Sequence, residues 1–207
     1  MNKIVSRTRS RAALVLLLLV FAAPVILAWL VFFVFPEFRP TDTMNHGELV
    51  VPARPLPAFH LQGIGTDTVD QNFLRGKWTF VYLAEGACEK PCVDQLYKMR
   101  QVRLTQGKNI KRLQRLFLWN TEGIGEAQRL ELAKHFPGLV IGNIQSGGQA
   151  DSLINSFRLE DGADPYSSGR LYLVDPMGNL MMSYEPDTVP RGITKDLERL
   201  LKYSGLG

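Results

Sequence analysis

Cys88 and Cys92 are the chain's only thiols, and the stretch that holds them, Glu85-Gly86-Ala87-Cys88-Glu89-Lys90-Pro91-Cys92, follows directly on an apolar run from Trp78 to Leu83. A disulfide that only braces a fold gains most by closing a long loop. In the chain-entropy model a ring of five residues is worth roughly 2 kcal/mol, against about 4.7 for a hundred-residue loop, and short rings are often strained. This spacing therefore favours sulfurs that open and close, or that bind a soft metal, over a static brace.

The proline sets the local geometry. A residue before proline avoids the α region, so Lys90 is expected to be non-helical and Pro91 to take the first helical position. Cys92 then stands in the first turn, on an inward stripe with Leu96 and Met99, while Cys88 occupies the loop ahead and is the more accessible sulfur. Unpaired amides and the positive end of the helix dipole lower a thiol pKa at such a place; Glu85 and Glu89 act against them.

The elements that must position the pair alternate in type. Trp78–Leu83, Leu116–Trp119 and Leu171–Val174 are short, nearly continuous apolar runs, as expected of strands covered on both faces. Helical spacing appears in Cys92/Leu96/Met99, Ala127/Leu130/Ala133, Leu153/Ile154/Phe157 and Ile193/Leu197/Leu200/Leu201. Asp175-Pro176-Met177-Gly178 has proline and glycine where a type I turn prefers them, so Leu180–Tyr184 returns as a hairpin partner. The result is an α/β layered domain with a mixed sheet.

Ahead of this domain, Ala12 to Phe35 carries no charged side chain and is long enough to cross about 30 Å of hydrocarbon as a helix. It exceeds the apolar region of a cleaved signal, and Val34-Phe35-Pro36 is a poor cleavage site, so an uncleaved anchor is expected. Lys3, Arg7, Arg9 and Arg11 precede the span; Glu37, Arg39, Asp42 and Glu48 follow it. The positive-inside rule then puts a basic tail (1–11) in the cytoplasm, a transmembrane helix at 12–35, and the rest outside, where a disulfide persists. Prolines 36, 40, 52, 55 and 57 read as an extended tether over 36–57, leaving one extracytoplasmic domain at 58–207. The net charge of +4 comes partly from the basic tail and, with no nucleic-acid motif present, does not point to nucleic acid.

A strand, then Cys-x-x-x-Cys at a helix start, then a late Tyr172-Leu173-Val174-Asp175-Pro176 hairpin, resembles the Sco/SenC family of membrane-anchored, thioredoxin-fold proteins that assist copper-centre assembly in cytochrome c oxidase. Leu56–Leu61 and Arg75–Trp78 resemble that group's opening hairpin and strand entry. The resemblance covers about residues 56–203. It implies a thioredoxin-like mixed sheet flanked by helices, with Cys88 and Cys92 as the redox pair and as ligands for copper. It also implies a bacterial inner-membrane protein with its domain in the periplasm, and as partner an oxidase subunit or an apo-cytochrome.

The departures are specific. The family's third copper ligand is a histidine, and counting back five residues from Tyr172 lands on Ser167. Val93 follows the second cysteine where members usually have proline. The thioredoxin cis-proline position falls near Gly169, with Pro165 the nearest proline. Among replacements for the histidine, His46, His60 and His135 read as structural or solvated. Met177, Met181 and Met182 are thioether donors suited to Cu(I), but alternation sends the last two to opposite faces. From Gln95 to Thr121 the bases Lys98, Arg100, Arg103, Lys108, Lys111, Arg112 and Arg115 meet no acid. They read as a solvated face, or as a docking surface for an acidic partner.

Three functions fit these residues: a Sco-like assembly factor using thiol exchange or transient Cu(I) binding, a general extracytoplasmic thiol-disulfide oxidoreductase, and a non-catalytic partner-binding membrane protein.

Overall fold

A run of apolar residues with no polar face can only settle where both faces are covered. In the computed structural model, which describes residues 3–35, 44–66, 68–145 and 147–204, the run from Trp78 becomes β4 (Trp78–Glu85), buried from end to end except Glu85. Three short strands precede it: β1 (Glu48–Pro55), β2 (His60–Gly63) and β3 (Val69–Asp70). It is followed by α2 (Lys90–Thr105), β5 (Leu113–Asn120), α3 (Glu126–His135), β6 (Leu139–Ile144) and α4 (Gly148–Asn155). The chain closes with β7 (Leu171–Val174), β8 (Asn179–Tyr184) and α5 (Pro190–Tyr203).

The eight strands form one mixed sheet in the order β1-β8-β7-β4-β5-β6-β2-β3. β4, β5 and β6 run parallel, and β7 pairs antiparallel with β4 on its other side. One face carries Phe80, Tyr82, Phe117 and Trp119 against Cys92, Leu96 and Met99 of α2, Ile193 and Leu197 of α5, and Phe136. The opposite face packs Val81, Leu83, Leu116 and Tyr172 against Leu153 and Ile154 of α4 and Phe157. The α/β layered domain with a mixed sheet expected from the alternation is what forms.

Three expectations are corrected. The distal half of the supposed tether is β1, which pairs antiparallel with β8 through an irregular register between Leu49 and Arg54. Proline is admitted there because an edge strand has one side without ladder partners; residues 36–43 of the tether lie outside the described residues. β6 escaped the sequence reading because Gly142 and Asn143 interrupt its apolar run. Gly142 is tightly approached: a Cβ there would stand 3.1 Å from Leu61 Cδ1, which would have to give by a few tenths of an ångström. Finally, α2 begins at Lys90, with Glu89 extended as its N-cap and proline in the first turn, so the local preference of a pre-proline residue gives way to the helix.

The N-terminal unit, Met1–Met44 by contact, is separate from the unit Asn45–Gly207. Its described part is α1 (Lys3–Phe33), continuous from the basic segment through the apolar one, with Pro24 inside it. Arg11–Phe33 is long and apolar enough to cross a membrane.

Within the sheet unit a buried carboxylate fastens the entry segment to the last helix. Asp196 of α5 is 2% exposed. It accepts from the backbone N–H of His46 (2.8 Å) and of Gly47 (3.0 Å), and its other oxygen lies 3.1 Å from His46 Nδ1. This answers the sequence question about His46, whose ring is committed to α5. Gly192 makes room for that ring, since a Cβ there would come within 2.7 Å of it.

The basic run is largely spent on the fold's own carbonyls. Lys98 donates to Pro186 O, Arg103 to Leu113 O, Arg112 to Leu201 O and Ser204 O, and Arg115 to Pro137 O. Arg115 is the exceptional member: it is 2% exposed, its Nε and Nη1 have no hydrogen-bond partner among the described residues, and burial beside Arg103 and Arg100 pushes its pKa down to about 10. A buried cation with unanswered donors opposes folding. Arg115→Met should therefore raise stability by about 1–2 kcal/mol, read as a higher Tm; a loss of stability would show that the Pro137 contact outweighs the desolvation.

Candidate redox site

The cysteine segment is held by its neighbours before any sulfur chemistry is considered. β4 ends at Glu85, and Gly86 turns the chain with φ +66°, a conformation that favours glycine. Its N–H donates to Asn120 O (3.0 Å) and its carbonyl accepts from Trp119 Nε1 (2.8 Å), both at the end of β5. The following turn is closed by Glu89 N–H to Ala87 O, and the helix is entered by Val93 N–H to Glu89 O, each 3.0 Å. Lys90 and Asp94 pair at 3.0 Å on the solvent side of the first turn.

On this frame Cys88 and Cys92 are joined in a disulfide with Cα atoms 5.2 Å apart. Cys92 is 7% exposed and packs into the α2 core stripe; Cys88 is half-buried. The asymmetry expected from Pro91 is present: an accessible sulfur in the loop and a shielded one in the helix. Trp119→Phe keeps the ring packing but leaves the Gly86 carbonyl without its indole donor. It should cost about 1 kcal/mol and speed reduction of the bridge, measurable as a lower Tm and a faster reaction with dithiothreitol.

Beside Cys88 lies an open, mainly apolar groove of about 250 Å³ between the start of α2 and the side of α3, lined among others by Trp119, Leu132, His135 and Phe136. Tyr97 of α2 meets Phe136 edge-on at 5.2 Å and closes the seam between the two helices. Sequence reasoning missed Trp119, Leu132 and Phe136 as site residues. A buried aromatic and a helical leucine look like core, and only the fold shows that they border the sulfur. His135, read from sequence as structural or solvated, is exposed and lies on this groove.

The other candidates do not converge here. His60 is an exposed residue of the β2–β3 hairpin. Met177 is 54% exposed at the hairpin turn, whereas Met182 is 1% exposed. Ser167, at the position counted for the family's histidine, is exposed and bonds through its N–H and hydroxyl to Asp164. Arg170 fastens this loop by bonding to Asp161 (2.6 Å) and to Glu185. Gly169 takes the turn before β7, and the one cis peptide bond among the described residues is Val51–Pro52. No group of three or more His, Cys, Asp or Glu side chains suited to a metal ion occurs among the described residues. Among the described residues no third His, Cys, Asp or Glu joins Cys88 and Cys92 as a donor.

Comparison with known protein families matches residues 78–204 to the family described as transmembrane-like, thioredoxin-like, C-terminal domain. The chain belongs to this family. The match runs from the first residue of β4 to the end of α5, so it takes in the cysteine pair and the helix that bears it. Among curated proteins no match is found. Among solved structures, the transmembrane-like, thioredoxin-like domain is similar to copper-bound ScoI of Arabidopsis thaliana, with TM-score 0.60 and 22% identity over 72% of this chain and 99% of that one. It is similar also to copper-bound ScoI of Bradyrhizobium japonicum, with TM-score 0.56 and 21% identity over 70% and 98%. A third is BsSco, described as a Sco-family cytochrome c oxidase assembly protein with a disulfide switch, with TM-score 0.57 and 17% identity over 74% and 96%. At these identities the likeness establishes a shared fold.

Proposed function

We propose that the chain is a membrane-anchored, Sco-like assembly factor for cytochrome c oxidase that acts by thiol-disulfide exchange through Cys88 and Cys92. One observation carries this reading: the pair is closed at the mouth of α2, with one sulfur half-buried beside an open groove and the other sunk in the core. That is the asymmetry exchange requires, since an attacking thiolate must be reachable and a resolving one must be held close behind it. The reduced domain is the donor: Cys88 thiolate attacks a partner disulfide, forming a mixed disulfide and releasing one partner thiolate. Cys92 thiolate then attacks the Cys88 sulfur, releasing the second partner thiolate and restoring the Cys88–Cys92 bridge. Two electrons pass from the domain to the partner.

The length and apolarity of Arg11–Phe33 support membrane attachment, and the bases that precede it favour placing the domain outside, in a bacterial periplasm. Copper enters as cargo in the competing form of this function. The reduced pair would offer two soft thiolates to Cu(I), with no third donor of the family's kind at Ser167.

The test is made in cells lacking the native gene and complemented with wild-type chain, Cys88→Ser or the double serine variant. Loss of oxidase activity in both variants, with wild-type rescue and no Cu(I) retained by the purified reduced chain, is expected. Full oxidase activity in the double variant would leave only the partner-binding reading. Normal oxidase with defective thiol balance elsewhere in the compartment would favour the general oxidoreductase.

A further inference from the structure

The groove beside Cys88 has a composition of its own. Its floor is made by Trp119 and Phe136, each 1% exposed, and its walls include the half-buried Val93 and Leu132. The charged or titratable side chains that line it are Glu131 and His135, both exposed, and Glu89, also exposed, follows Cys88 in sequence. The nearest base in sequence, Lys90, is paired with Asp94. Elsewhere in the sheet unit, the cavity at the ends of β5 and β6 is lined instead by Asn120, Thr121, Asn143 and Gln145.

We propose that this groove is the recognition subsite for the segment flanking the partner's reactive cysteine, and that it takes an apolar side chain adjacent to that cysteine with a cationic residue beyond it. The inference rests on the exchange reading above and deepens it. Exchange fixes the occupant, because a partner sulfur cannot reach bonding distance of Cys88 without laying its neighbouring residues along the surface that surrounds Cys88. About 250 Å³ of space over mainly carbon-lined walls suits one large apolar side chain, whose burial there removes apolar surface from water. The Glu131 carboxylate on the wall attracts a cation on the same segment and repels anionic thiols, an effect that salt screens.

The experiment uses the full chain, reduced and held in zwitterionic lipid nanodiscs, with three tripeptides presented as mixed disulfides of 2-nitro-5-thiobenzoate: Lys-Leu-Cys, Lys-Gly-Cys and Glu-Leu-Cys. Attack of Cys88 thiolate on the peptide sulfur forms the Cys88–peptide disulfide and releases the coloured thiolate. Cys92 thiolate then displaces the peptide thiolate and closes the bridge. Lys-Leu-Cys is expected to react about tenfold faster than Lys-Gly-Cys and several-fold faster than Glu-Leu-Cys at low salt, the second difference fading at high salt. Leu132→Ala should erase the first preference and Glu131→Lys reverse the second; Glu131 is a surface position, so that arm stands if Leu132→Ala fails to fold. Equal rates for the three peptides, or preferences untouched by Glu131→Lys, overturn the groove while exchange stands. No reaction with any peptide overturns the exchange reading itself.

Discussion

Cys92→Ser is expected to arrest exchange at a stable mixed disulfide on Cys88, and Cys88→Ser to abolish exchange, lowering the rate with a disulfide substrate by at least about a thousandfold. The difference follows from exposure. Cys92, 7% exposed beneath the first turn of α2, cannot be approached along the line of a partner's sulfur–sulfur bond, whereas Cys88 is half-buried and borders the groove. Neither change should unfold the domain. The closed ring is short enough that its loss costs roughly 2 kcal/mol in the chain-entropy model, against a core on both faces of eight strands. Mass spectrometry after incubation with a disulfide-bonded peptide checks both variants: one adduct on the Cys92→Ser chain and none on Cys88→Ser. Equal adducts on both would mean that the sulfurs are equally reachable.

Asp196→Ala is expected to be strongly damaging although it lies away from the sulfurs. It removes the acceptor for two backbone N–H groups, His46 and Gly47, and the partner of the His46 ring. Leaving buried donors unanswered costs about 1–3 kcal/mol for each group, so a loss of about 3 kcal/mol or more is expected. For a domain of this size that corresponds to roughly 6–12 °C in Tm. Asp196→Asn should recover much of this, because a single amide oxygen can accept both backbone N–H groups, which meet one and the same oxygen of Asp196. The consequence reaches β1, which enters at Glu48 directly after the latched residues. Hydrogen exchange should therefore rise along the β1–β8 pairing in Asp196→Ala while the β4–β5 pairing stays protected. Uniform loss of protection would show that β1 is not a separately releasable edge.

Much of the fold was legible because the chain states it in simple periods. β4, β5 and β7 are apolar runs that only a two-sided sheet can bury, and the β7–β8 turn is written in Asp175-Pro176-Met177-Gly178, whose Gly178 N–H returns to Asp175 O at 3.0 Å. The cysteine pair was legible for a different reason: its short ring is a poor brace and sits at a proline-marked helix start. What sequence hid was context that arises only in three dimensions. The prolines of β1 mimic a tether because edge strands and tethers both tolerate a missing donor, and pairing with β8 decides between them. The charges of the 95–121 stretch resemble a solvated surface until the carbonyls they cap are seen, and Arg115 lies inside the core. The groove was invisible because Trp119 lies near the end of β5 while Leu132 lies in α3 and Phe136 at its C-cap, and the only signal of all three is hydrophobicity.

The central claim is that the Cys88–Cys92 bridge is a reversible redox centre of the folded domain. Its most direct test is equilibration of the full chain in nanodiscs with graded ratios of reduced to oxidised dithiothreitol, reading the thiol state by alkylation and mass, and the fold by circular dichroism. The account predicts a single reversible two-electron transition between dithiol and disulfide, with the folded signal unchanged throughout. A bridge that resists reduction until the domain unfolds would contradict it, and would make Cys88–Cys92 a brace.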